Sequence, residues 1–102
     1  MSNESFNEKG VELLRIAIVK QACWDYRRAL ICLHNSKNEK RSSSYKHDAD
    51  RVEKFFKSDW CYLLTGLDGD FLIDSIRKEV IDFGYDLKKL KAYHAKYNPV
   101  EK

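Results

Sequence analysis

The apolar positions of this chain fall into stretches of helical period separated by short polar or glycine-containing breaks. Residues 11–34 hold no Gly or Pro, and Ile16, Val19, Cys23, Tyr26, Leu30 and Leu33 recur there at alternating steps of three and four. That spacing draws one face of a long helix. A second line through Leu14, Ile18, Ala22, Ala29 and Cys32 runs beside it, and Leu13, Ala17, Trp24 and Ile31 fall further round. So wide an apolar arc requires more than one covering helix, with Glu12, Arg15, Lys20, Gln21, Asp25, Arg27 and Arg28 left as a solvated strip.

Residues 35–44, NSKNEKRSSS, contain no apolar side chain and read as a flexible loop, with Ser44 as the N-cap of a second helix. Ala49, Val52 and Phe56 line one face of that helix. The spacing continues through Trp60, Leu63 and Leu64, unless Ser58 and Asp59 open a short helix of their own. Gly66 then suits the left-handed residue after a helix, and Asp68 the N-cap of the next, with Leu67 and Leu72 at the spacing of a hydrophobic staple. Ile73, Ile76, Val80 and Phe83 carry this helix to a stop at Gly84. Asp86 caps a last helix with Leu87, Leu90, Tyr93, His94 and Tyr97, which Asn98 and Pro99 end. No segment alternates with period two, so the predicted fold is all-α: a small helical bundle of four helices, or five, with one long N-terminal helix.

Length turns that pattern into a single domain. A chain of 102 residues with 43% hydrophobic content supports one core, spanning 1–102, with residues 1–10 expected to be a flexible N-terminus. No apolar run approaches the roughly 18 residues of a membrane span, and the polar, acidic start is unlike a signal peptide, so a cytoplasmic protein is expected. Cys23, Cys32 and Cys61 are odd in number and lie within apolar runs, as buried, reduced thiols do.

The net charge of +3 conceals an alternation. Residues 59–86 hold seven acidic and two basic side chains, while 35–58 hold seven basic and four acidic ones and 87–102 five basic and one acidic. Alternation of this kind favours docking within the chain and solubility over a uniform nucleic-acid footprint.

Candidate chemistry is sparse. Asp68, Asp70, Asp74 and Glu79 match four offsets of a calcium loop, but Leu72 and Ile73 occupy the offsets where that loop needs an oxygen ligand and a glycine. The acids are therefore expected to cap a helix and to line a solvated face. Cys32 and His34 point to different sides of a helix, and no other Cys or His has metal-ligand spacing, so no metal and no cofactor are expected. There is no phosphate-binding glycine loop, and a core this small leaves little room for a pocket; no catalytic residue is assigned and no enzyme activity is expected. Two surface sets remain. Lys37, Lys40, Arg41, Tyr45 and Lys46, with Lys88, Lys89 and Tyr93 on the last helix, suit a nucleic acid or nucleotide. Trp24 and Tyr62, with Asp68, Asp70 and Asp74, suit a protein partner, because aromatic side chains dominate protein interfaces.

The segments Ile18-Val19-Lys20-Gln21-Ala22, Asp25-Tyr26-Arg27-Arg28-Ala29-Leu30, Phe55-Phe56-Lys57-Ser58-Asp59-Trp60 and Leu64-Thr65-Gly66-Leu67-Asp68-Gly69-Asp70-Phe71-Leu72-Ile73 together resemble a family of small uncharacterised proteins encoded by phages, prophages and conjugative elements of Firmicutes. The resemblance covers roughly residues 16–80 and is most specific in FFxSDW…LTGLDGxxLI. It implies a bacterial host cell and a genomic context, in which small proteins regulate the element or disable host defences, anti-CRISPR proteins among them; it carries over no site residue. The leading expectation is a non-enzymatic protein that binds a host or element-encoded protein, as an inhibitor of a host-defence component. The alternative is a nucleic-acid or nucleotide-binding accessory protein, including an oligomeric sponge for a nucleotide signal. The wide apolar arc of the first helix separately predicts a homo-oligomer.

Overall fold

In the computed structural model, which describes residues 8–97, every regular element is a helix: α1 Glu8–Asn35, α2 Glu39–Phe56, α3 Asp59–Thr65, α4 Gly69–Asp82 and α5 Leu87–Tyr97. The all-α fold and the long first helix predicted from periodicity are present, with five helices among the described residues. Of the expected flexible N-terminus, residues 1–7 lie outside the described residues, whereas Glu8 and Gly10 already belong to α1. Asn98 and Pro99 lie outside them too.

The loop expected over residues 35–44 requires correction. Only residues 36–38 are non-helical, because Asn38 rather than Ser44 caps α2. Asn38 is extended, and its side-chain oxygen accepts hydrogen bonds from the backbone N–H groups of Lys40 at 2.9 Å and Arg41 at 3.3 Å. Serine is only modestly unfavourable inside a helix, so a well-made cap upstream carries α2 straight through Ser42, Ser43 and Ser44.

Two further breaks set the geometry of the molecule's acidic end. Ser58 adopts an extended conformation between α2 and α3, donates its hydroxyl to the Phe55 carbonyl at 2.6 Å and accepts the Cys61 N–H at 3.2 Å. α3 then ends at Gly66, which has the predicted left-handed φ of 73° and donates its N–H to the Tyr62 carbonyl. Asp68 has N-cap backbone geometry, although its side chain makes no capping hydrogen bond. Gly69 is needed for closeness: a Cβ there would lie 2.1 Å from the Phe56 carbonyl oxygen, so the start of α4 rests directly on the end of α2.

Every other helix packs on α1, with α2 making the most extensive contact. The buried core holds Tyr26, Ala29 and Ile31 of α1, Ala49 and Phe56 of α2, Cys61 of α3, Ile73, Ile76 and Val80 of α4 and Leu90 of α5. Two polar clusters cross-link these helices. The Tyr26 hydroxyl donates to Glu53 of α2, and Arg77 of α4 donates to both the Tyr26 oxygen at 2.9 Å and Glu53 at 2.7 Å. Glu79 of α4 accepts from Arg27 of α1 at 2.7 Å and lies 2.8 Å from His94 of α5. The α4–α5 turn is fastened to the end of α1: Tyr85, a non-glycine residue at φ 55°, stacks on His34 at 3.6 Å between ring centroids, and the Asn35 amide donates to its carbonyl.

Candidate interaction surface

The phase of α3 decides which side chains face out. Restarting the helix at Ser58 turns Cys61 into the core, where it is fully buried, and sends Trp60, Tyr62 and Leu63 to the opposite side. Leu67 in the turn and Phe71 in the first turns of α4 are also on the outside. These five large apolar side chains, all within residues 60–71, are between 43% and 70% exposed. Asp59, Asp68, Asp70 and Asp74 are exposed among and beside them.

A concave site lies within this surface. Tyr62, Asp68 and Asp70, three of the residues expected to bind a protein, line one open hollow of ≈ 380 Å³ with Asp59, Lys57 and Ser58. Lys57 lies 3.9 Å from Asp70, a long, solvent-exposed pairing that offsets part of the negative charge. Asp74 is one helical turn beyond Phe71 on the outer face of α4.

Trp24 does not join this set. It is half-buried on α1, with the Arg27 guanidinium 4.5 Å from its ring centre and the His94 ring edge-on at 5.0 Å. Its apolar and π surface is thus engaged by α5 and by its own helix. Conversely, Trp60, Leu63, Leu67 and Phe71 were not singled out by periodicity, because Trp60 and Leu63 keep the spacing of α2 if the helix is assumed unbroken. The signal that separates them is Ser58, followed three residues later by the buried Cys61.

The basic candidates divide. Lys37, Arg41 and Tyr45 line a second open hollow of ≈ 580 Å³ at the α1–α2 corner, floored by Cys32 and edged by Asn35 and Asn38. Among the described residues neither Lys37 nor Arg41 forms an ion pair, whereas Lys46 pairs with Asp50 and Arg51 with Asp48 further along α2. Lys40 is exposed but does not line the hollow. Lys88, Lys89 and Tyr93 are exposed on α5, where the Tyr93 ring packs 5.1 Å from Phe83.

The titratable groups in the interior serve packing. Burial pushes the Cys23 thiol up, with Glu79 and Cys61 adding to the effect and Arg27 opposing it; burial also raises Cys61, so both favour the thiol over the nucleophilic thiolate. Burial and the bond to Glu53 raise Tyr26 well above the ordinary phenol range. Desolvation would raise Glu53, but the hydrogen bonds from Tyr26 and Arg77 outweigh it and lower its pKa. Among the described residues no three His, Cys, Asp or Glu side chains converge as a metal ion requires, and no helix is long and apolar enough to cross a membrane. No protein-family model, curated protein or solved structure matches the chain.

Proposed function

We propose that this protein acts by binding another protein through the outer face of α3 and the start of α4, without catalysing a reaction. The observation that carries this is the exposure of Trp60, Tyr62, Leu63, Leu67 and Phe71 beside Asp59, Asp68, Asp70 and Asp74. Large apolar side chains exposed so close together in the chain cost solubility unless a partner covers them, and Trp and Tyr carry the largest share of energy at protein interfaces. The acids around it favour a partner with a basic rim and speed encounter rather than add much affinity. The segments that resemble proteins of phages and mobile elements include this corner, which makes a component of host defence the leading candidate for the partner.

A second reading rests on Lys37, Arg41 and Tyr45 around one hollow, an arrangement that suits the phosphate and ring of a nucleotide or nucleic-acid strand. One experiment separates the two. Affinity purification from bacterial host lysate, followed by mass spectrometry, is run with the unaltered protein, with Trp60→Ala/Tyr62→Ala and with Lys37→Ala/Arg41→Ala, each with and without nuclease. Protein binding through α3 predicts a partner that survives nuclease and is lost only with Trp60→Ala/Tyr62→Ala. No partner in any arm, or one indifferent to that double change, sinks it; loss on nuclease treatment and with Lys37→Ala/Arg41→Ala assigns function to the basic corner.

A further inference from the structure

We infer that the hollow at the α1–α2 corner takes a single nucleoside phosphate, with the phosphate on Lys37 and Arg41 and the base on Tyr45. The inference rests on the second reading above and narrows it, since that reading leaves a free nucleotide and a strand undivided. The hollow has the size of a small-ligand site, and no acidic side chain lines it. Among the described residues Lys37 and Arg41 are exposed and have no carboxylate partner. The first amides of α2 are already taken, because the Asn38 side-chain oxygen accepts from Lys40 and Arg41. An anion in the hollow is therefore held by side chains rather than by the helix end, and the Asn38 amide group is left to donate to it. Arg41 and Tyr45, four apart on α2, are neighbours on one face, so a phosphate on Arg41 brings its sugar and base over the Tyr45 ring. Among the described residues no other ring packs on Tyr45.

Charge along the α1–α2 groove limits the ligand to one nucleotide. Tyr45 also lines the next hollow of that groove, where Asp25, Arg28, Asp48 and Arg51 stand together. Acids match bases there, and Asp48 already holds Arg51 at 3.4 Å. A strand carries a phosphate at every nucleotide, so its next phosphate along the groove would meet Asp25 and Asp48 instead of unmatched cations. A single nucleotide stops short of them. The half-buried Cys32 thiol on the floor of the first hollow reports occupancy, because a ligand there covers it. Cys23, also half-buried on α1, lines neither hollow and serves as the control.

Equilibrium dialysis at low salt with the common ribonucleoside monophosphates, inorganic phosphate, adenosine and an oligodeoxythymidine of about ten nucleotides tests the assignment. At least one monophosphate is expected to bind with a dissociation constant between about 10 μM and about 1 mM. Inorganic phosphate and adenosine should each bind about tenfold more weakly, and the oligonucleotide no more tightly than the monophosphate. Lys37→Ala/Arg41→Ala should weaken the monophosphate about tenfold or more. Tyr45→Leu, which keeps apolar bulk and removes the ring, should bring it to the level of inorganic phosphate, whereas Tyr45→Phe should leave it unchanged. The monophosphate should also slow alkylation of Cys32 by iodoacetamide, read by peptide mass spectrometry, and leave Cys23 unaffected. An oligonucleotide that binds more tightly than every monophosphate, and is lost with Lys37→Ala/Arg41→Ala, overturns the single-nucleotide site while the second reading stands. Absence of binding by both overturns the two together. Monophosphate binding that inorganic phosphate equals, that ignores these substitutions or that leaves Cys32 unprotected overturns the assignment to this hollow.

Discussion

The Tyr26 hydroxyl is the only polar atom that the most deeply buried side chain of α1 brings into the core, and it is answered by an ion pair from two other helices. Removing Glu53 and Arg77 would strand the Tyr26 hydroxyl inside the core, whereas Arg77 itself is half exposed, so the cluster joins α1, α2 and α4 chiefly by satisfying Tyr26. The Glu53 carboxyl is held below its ordinary value in the fold. Its contribution is complete above the unfolded carboxylate value of about 4.3 and is lost as pH falls through the lower, folded value. Glu53→Gln is therefore expected to reduce stability at neutral pH and to flatten the acid arm of a curve of urea midpoint against pH; an acid arm of unchanged steepness would place that dependence on other carboxylates. Little of this was legible in the sequence. In the sequence Tyr26 is one more member of an apolar face, and its partners stand 27 and 51 residues away. Glu79 stands at a calcium-loop offset, yet it joins Arg27 and His94 across a separation that no spacing argument reaches.

Among the elements, those with strong period and clear punctuation were legible. α1 and α4 follow their apolar spacing, Gly66 takes its left-handed conformation and Asp86 accepts the Lys89 N–H as a cap. The start of α2 was not, because Asn38 and Ser44 are equally good capping types and only the structure shows which one turns its side chain to the free amides. The break at Ser58 was legible as an option, and choosing it reverses the faces of α3. Gly69 tests how much this corner depends on contact between helices. Gly69→Ala must push α4 off the end of α2, since the new methyl would lie 2.1 Å from a carbonyl oxygen, and a loss of about 1–3 kcal/mol in chemical denaturation is expected, the usual range for overpacking. Gly66→Ala meets no neighbour and is expected to cost about 1–2 kcal/mol through its backbone conformation alone. If Gly69→Ala also weakens partner capture and Gly66→Ala does not, the spacing of α2 and α4 shapes the hollow between Tyr62, Asp68 and Asp70; equal effects on capture would remove that link.

At the scale of the whole molecule the dimensions are 56 × 30 × 23 Å, and the Cα radius of gyration of 15.7 Å exceeds the roughly 13 Å of a compact chain this long. α1 alone, 28 residues at 1.5 Å each, is about 42 Å long. α1 is also the helix on which all the others pack, and it comes first in the chain. Synthesis from the amino end thus delivers the template before the parts that dock to it: α2 meets α1 as it leaves the ribosome, joining Tyr26 to Glu53, and Arg77 completes the cluster only when α4 has followed. Chains arrested at successive lengths are expected to gain protease protection at Arg27 and Arg28 in two steps, one with α2 and one with α4. A single step at full length would mean that the template waits for the entire chain.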